Sequence, residues 1–525
     1  MKETHRHSAS LALLSWAVFA TALAGLIVYM IVHAQSLLDS DMSSELILAK
    51  QLAQSGRLLS DNWYYSTEIR ILNTQVVYAL FFRFMESWRL VRILGNITLY
   101  FVLLSSYYFF CRRLDIARSF PITAAIMLLP LSSDYYYILL YGAYYIPRIS
   151  MMFIILGLLL PTIAPARSKA SALISLLVLG VLSFALGLEG PRMVLILFIP
   201  LAVLFGCECI CRSIPNNRLG KGIASRLALS STRPPLKSYA TRAFVVCLAG
   251  MAGYLLNATV LSNAYSFEHV NLSFDLTAGR IKGTVFNQIH SIGDSSFTYA
   301  ISLLLWTLTA VLCVVYLLRK AEKQLAAVRY VCFCLVTWAG YTAVSCTLSL
   351  ELATWHFIPV AILFIPCAAL VIGDLQMRPL PRRLLAAGIG ACILILGALG
   401  YHSFADWPLR NGARSNVEFA RIAKVLKSEG FESGYGTFWN ANILTELTDG
   451  EIDVWCVNTL DAKTATDPDL YRWLQVRSHD DALPEGKTFV ICTIEEYLRY
   501  HVQTFDYVGN ELYRSDAFVV FAVAK

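Results

Sequence analysis

The chain has 525 residues, 57% of them hydrophobic and only 15% charged, with a mean hydropathy of +0.57. Soluble domains carry about 25% charged residues, so a purely water-soluble protein is excluded and a polytopic α-helical membrane protein is indicated. The net charge of +7 sits in short segments flanked by apolar runs, which argues for membrane topology and against a nucleic-acid partner.

In chain order, the apolar run 11–33 is too long for the core of a cleavable signal and is expected to be a first membrane helix. Further runs near the roughly 20 residues that cross a bilayer fall at 89–111, 119–137, 146–164, 171–188, 191–211, 243–262, 297–318, 329–350, 357–373 and 384–401, about eleven transmembrane helices in all. Alternate loops differ in charge. Arg212–Arg242 holds seven Lys/Arg and no acid. Basic loops stay cytoplasmic, so the N-terminus is expected inside. The segment 34–88, the turns near Asp134, Glu189 and Glu351, the loop 263–296 and everything after Tyr401 are expected outside. Residues 1–401 then form the membrane domain and 402–525 a soluble extracytoplasmic domain.

The stretch that leaves the first span, Leu37–Arg70, carries Asp39, Asp41, Glu45, Asp61 and Glu68. Carboxylates at a membrane mouth are costly unless solvated or paired; they suit a polar substrate, a metal ion or a proton path. Leu46, Ile47, Ala49, Leu52 and Ala53 recur at helical spacing, which predicts an amphipathic helix over 41–53 along the membrane surface. Asp39 or Asp41 is then a candidate N-cap, a role that accounts for one of them. The following block, "NWYYSTEIRILNTQ", interleaves Trp63, Tyr64 and Tyr65 with Glu68, Arg70, Asn73 and Gln75. An interfacial aromatic belt explains the rings; the charges and amides suit a sugar or headgroup site.

Further polar residues gather on the same predicted face. They are Asp134, with six tyrosines and Arg148 after it, and Glu189 with Arg192 in "LGLEGPR". The loop 263–296 adds Glu268, His269, Asp275, Arg280, Lys282 and His290, and Glu351, Trp355 and His356 follow. Cys207, Cys209 and Cys211 alternate, a spacing unsuited to zinc. Cys456 and Cys492 are read either as a disulfide or as free thiols in neighbouring strands.

The tail changes composition: from His402 on there are 12 Lys/Arg against 19 Asp/Glu, a net charge of −7. Its pattern predicts helices at 416–429, 441–447 and 494–500 and strands at 434–439, 451–457, 488–493 and 518–524, a small α/β unit. It has neither a glycine-rich phosphate loop nor a nucleophile elbow.

The early loop resembles that of the GT-C superfamily of integral-membrane glycosyltransferases, and is similar in plan to the protein O-mannosyltransferases and the lipid A aminoarabinose transferases. In that family an Asp-Glu pair begins the first outer loop; here Asp39 takes the first place, Ser40 the second, and Asp41 follows. Glu45 matches a further acid, and Glu68 follows Asp39 by 29 residues. The family's Glu-Lys-Pro-Pro run is Glu68-Ile69-Arg70-Ile71 here, so Arg70 stands in for the lysine. Asp134 falls where the family places a carboxylate in its second outer loop.

The resemblance implies transfer of a sugar from a polyprenyl-phosphate-linked donor to a cell-envelope glycan, lipid or protein acceptor at the outer face of the inner (plasma) membrane of a bacterium, with inversion. Asp39 is then the expected base, with Asp41 and Glu68 beside it. Tyr64, Tyr65, Arg70, Asn73, Gln75, Arg148, Glu189, Arg192, Arg280, Lys282 and His356 are expected around substrate and phosphate. A divalent metal ion (Mg, Mn or Zn) would be held by Asp134 with Asp39 or Glu68. Two other readings are a transporter or flippase of a lipid-linked saccharide, which usually shows an internal repeat absent here, and a non-catalytic envelope-assembly protein.

Overall fold

The computed structural model describes residues 2–66, 69–160, 169–213, 236–265, 273–293, 296–319, 324–349, 353–374, 388, 390–391, 394–402 and 416–524. Among them, seven helices are long and apolar enough to cross a membrane: Ala12–Val32, Trp88–Arg113, Lys169–Gly187, Pro191–Ile210, Tyr239–Ala264, Tyr299–Leu318 and Leu325–Thr347. An eighth span is counted if Tyr135–Tyr141 and Ile146–Leu159, bent by 76°, are one. The protein is therefore a polytopic helical membrane protein, with seven or eight spans among the described residues where about eleven were expected over the whole chain. The run 119–137 breaks because its helix ends at Met127 and Pro130 follows, proline being unable to continue the ladder. The run 357–373 forms only a shorter apolar helix, Thr354–Leu370. Of the run 384–401, residues 388, 390–391 and 394–401 are described and helical, whereas the basic loop 212–242 falls largely outside the described residues.

The chain divides into two compact units. The first comprises Met1–Ile27, Tyr100–Val260 and Asn271–Ala405. Its helices Lys169–Gly187 and Leu236–Leu255 approach closely: a Cβ at Gly187 would lie 2.0 Å from the Gly250 carbonyl oxygen, and one at Gly253 2.1 Å from that of Phe184. Small residues at such a crossing let backbones touch where no hydrophobic force drives helix association.

The second unit comprises Val28–Leu99, Leu261–Val270 and Asp406–Lys525, so the loop after the first span folds together with the tail. Helix α1 (Lys2–Val32) leads to α2 (Ser40–Ser55), strand β1 (Trp63–Tyr64) and α3 (Thr74–Phe82); α4 (Trp88–Arg113) follows. The cap of α2 is Asp39, whose carboxylate accepts the Met42 N–H at 2.7 Å. Gly56 ends it at φ 69°, its N–H returning to the Leu52 carbonyl, a left-handed stop that glycine adopts without strain. Leu46, Ala49 and Leu52 bury against Trp63, Tyr65, Ile69, Tyr78 and Trp88. The expected amphipathic helix on a bilayer surface is instead covered on several sides: Ser40, Ser43, Ser44 and Glu45 are buried as well. Small serines let the tail helix Phe438–Leu447 pack against α2.

The tail is an α/β unit close to the pattern predicted. A five-stranded sheet has the order β3 (Asp453–Val457), β2 (Ser433–Thr437), β5 (Thr488–Thr493), β7 (Phe518–Val523), β6 (Val508–Arg514). The β3–β2–β5 part is parallel and the β5–β7–β6 part antiparallel. A further short strand, β4 (Gln475–Val476), pairs antiparallel with β1, with Trp63 opposite Val476 and Tyr64 opposite Gln475. β2 runs against β5 closely enough that a Cβ at Gly434 would meet the Phe489 ring at 2.5 Å. Cys456 and Cys492 are buried free thiols. They lie on β3 and β5, which β2 separates, so they are not strand neighbours.

Candidate active site

The acidic cluster is built at the start of α2. Asp39 and Asp41 flank Ser40, and both residues are half-buried. One Asp39 oxygen is engaged as the helix cap. Burial, and after it the negative charge of Asp39, push the Asp41 carboxyl from its ordinary 3.8 up to about 7, against the pull of Arg70. Glu45, one turn along, accepts the Thr74 hydroxyl at 2.7 Å and meets the Arg70 guanidinium at 3.4 Å. Asn73 caps α3, and the Gln75 amide donates to the Arg70 carbonyl at 2.5 Å. Among the described residues, the buried atoms Asn73 Nδ2 and Gln75 Oε1 make no hydrogen bond. Open valences of this kind are costly and suit a polar ligand or water.

The loop that presents Asp39 and Asp41 is held by residues from far along the chain. Asn416 donates to the carbonyls of Leu38 at 3.0 Å and Gln35 at 3.2 Å. Asn442 donates to the Ser40 carbonyl at 3.4 Å, and the Ser40 hydroxyl donates to the Phe438 carbonyl. Arg92 reaches the Met42 carbonyl at 3.0 Å while pairing bidentately with Glu446, both contacts at 2.7 Å. Both partners of that pair are fully buried. None of these supporting residues was singled out from the sequence. Arg92 left a signal, an arginine in the second turn of an apolar helix, which is expensive without a partner. Glu446 lies 354 residues away, and nothing local announces the pairing.

Tyr64 and Tyr65 lie in the packed interior of the same unit. The Tyr64 hydroxyl donates to Asp480, and the Tyr65 hydroxyl accepts the Ser60 N–H at 2.9 Å. Glu68 falls outside the described residues, as do Glu268, His269 and Glu351.

In the first unit the remaining candidates form separate groups. Arg148 pairs with Glu189 at 3.0 Å, both buried. Arg192 donates to the Tyr145 hydroxyl at 2.8 Å, and the guanidinium carbons of Arg148 and Arg192 stand 5.8 and 6.0 Å from the Tyr145 ring centre. Gly190, at φ 96°, makes the turn that returns Glu189 toward Arg148. The Asp134 carboxylate accepts the Thr354 hydroxyl, two residues from His356. Arg280 faces Asp275 at 3.7 Å, and Lys282 is exposed. Among the described residues no group of three or more His, Cys, Asp or Glu side chains could hold a metal ion.

The capping role gives a first expected outcome. Asp39→Ala should lower stability by about 1 kcal/mol while Asp39→Asn keeps it within a few tenths, read from denaturation midpoints in detergent. Equal losses in both would show that the carboxylate charge, not the cap, matters to the fold.

No protein-family model and no curated protein matches the sequence. Solved structures do match its shape. In particular, the chain shares the fold of ArnT from Cupriavidus metallidurans, seen in the apo state and bound to undecaprenyl phosphate. The TM-score is 0.57 for each, at 13% and 12% sequence identity, over 96% of this chain and 97% of theirs.

Proposed function

We propose that this protein is an integral-membrane glycosyltransferase that moves a sugar from a polyprenyl-phosphate carrier to a hydroxyl of an envelope glycan, lipid or protein. The reaction is assigned to the extracytoplasmic face of a bacterial inner membrane, where the soluble nucleotide sugars of the cytosol are out of reach. The observation that carries the reading is the carboxylate pair around Ser40, one member poised near neutrality, on a fold whose ArnT counterpart is bound to undecaprenyl phosphate.

An acceptor hydroxyl is a weak nucleophile at neutral pH. A carboxylate with a pKa near the working pH combines the unprotonated form with useful basicity, which favours Asp41 as the base over the half-engaged Asp39. Asp41 takes the hydroxyl proton as the acceptor oxygen bonds to the anomeric carbon. The bond from that carbon to the phosphate oxygen breaks, and its electron pair leaves with the phosphate. Attack opposite the leaving group inverts the centre. The departing phosphate is already a stable anion, so no general acid is needed, unlike in glycoside hydrolysis. It needs positive charge, and guanidinium forks match phosphate oxygens. Arg70, which meets Glu45 beside Asp41, is assigned this role.

The test supplies the purified protein in nanodiscs with a synthetic prenyl-phosphate sugar and an envelope extract. Each divalent cation is added singly, with EDTA as the control for the metal expected at Asp134. Acceptor-dependent release of prenyl phosphate is expected. An intact carrier under every condition would refute transfer, and passage of the intact donor across a vesicle wall would point to a flippase.

A further inference from the structure

Four aromatic rings of the tail form a continuous row. Ring centres are 5.1 Å apart for Trp439 and Phe438, 5.4 Å for Phe438 and Tyr471, and 6.5 Å for Tyr471 and Trp473. Phe438 is buried as the keel, Tyr471 and Trp473 are half-buried, and Trp439 is 60% exposed. A tryptophan this exposed, on an otherwise well-buried helix, contributes little to the core.

The row is tied to Ser40 directly through the Phe438 backbone and, by way of Asn442, through Leu474, the residue after Trp473. The Phe438 carbonyl accepts the Ser40 hydroxyl. The Asn442 amide spans the carbonyls of Ser40 at 3.4 Å and Leu474 at 3.2 Å. Leu474 sits at φ 47°, a conformation that costs a non-glycine residue free energy and turns the chain next to Trp473. The helix start beneath Trp439 is fixed by polar contacts, Asn440 donating to Thr437 and Glu496, both at 2.9 Å. The row is thus a rigid aromatic surface beside the residue that separates Asp39 from Asp41.

We propose that this row is a saccharide-binding platform that seats sugar rings of the acceptor next to the reacting carboxylates. The acceptor class then narrows to a molecule that already carries sugar, and this narrowing rests on the transfer reading above. The axial C–H faces of a pyranose are weakly positive and apolar, and they complement the negative face of an aromatic ring. Rigid Trp and Tyr rings supply contact area at low entropic cost. The exposed Trp439 with the half-buried Tyr471 and Trp473, packed over Phe438, suits more than one sugar unit. The alternative occupant, a bilayer surface, fits less well: the tail carries a net charge of −7, which anionic headgroups repel.

The test uses the full chain in nanodiscs, with chitohexaose, maltohexaose and mild-acid-released envelope oligosaccharides of the native host as probes, read by tryptophan fluorescence and saturation-transfer NMR. At least one probe is expected to bind. Trp439→Ala should weaken it about tenfold, Trp473→Ala should weaken it too, and Trp439→Phe should stay near the parent. Asp41→Asn should bind saccharide like the parent while losing transfer, so failure of the transfer reading and failure of the platform are told apart. The platform is overturned if no probe binds, if Trp439→Ala binds unchanged, or if brominated lipids quench Trp439 while sugars leave it unaffected.

Discussion

Asp41→Asn is expected to lower the transfer rate by about 10²–10⁴-fold, the usual contribution of a positioned general base. The pH profile sharpens the expectation. The unprotonated fraction of the parent base rises tenfold per pH unit below about 7 and saturates above it, so the rate should climb and then level there. The asparagine variant should be flat across the same range. Stability should move the other way. Between the ordinary 3.8 and about 7 the folded state binds a proton at Asp41 that the unfolded chain has lost. The Asp41 contribution to folding stability is therefore greatest below about pH 4, falls as pH rises through this window, and is constant above it; the variant should lack this part of the slope. A parent profile whose midpoint stays put when Asp41 is replaced would move the base to Asp39 or elsewhere.

Glu446→Ala should destabilise the protein by about 3–5 kcal/mol, because it strands the Arg92 charge in a fully buried place. The thermal midpoint in detergent should drop sharply. The double change Arg92→Met with Glu446→Leu should recover much of the loss, since well-packed apolar residues often replace a buried pair at little cost. Transfer should not recover with it. Arg92 also holds the Met42 carbonyl, one residue past Asp41, and neither methionine nor leucine restores that contact. Recovery of stability without activity would mark Arg92 as a positioning residue; recovery of both would reduce it to a structural strut.

Much of the architecture was legible because its signals are local. The helix after the first span, its Asp39 cap and the alternation of the tail all follow from periods of 3.6 and 2 and from capping chemistry. The β6 strand was missed because it is an edge strand whose residues are half-buried or exposed, so it lacks a clean alternation. The rings at 63–65, read as an interfacial aromatic belt with Tyr64 and Tyr65 as candidate substrate contacts, are buried within the second unit. The exposed ring is Trp439, which in sequence is only one more apolar residue before a helix.

By itself the sequence determined what short-range chemistry determines: a membrane chain, a carboxylate-rich loop after the first span, and an acidic α/β tail. Tertiary structure alone decided that this loop and tail are one folded unit, that Asn416, Asn442, Arg92 and Glu446 frame the carboxylates, and that burial raises the Asp41 carboxyl toward neutrality. The reason is physical. Burial, which shifts a pKa, and pairing across hundreds of residues both depend on which surfaces the fold brings together, and no window of neighbouring residues contains that information.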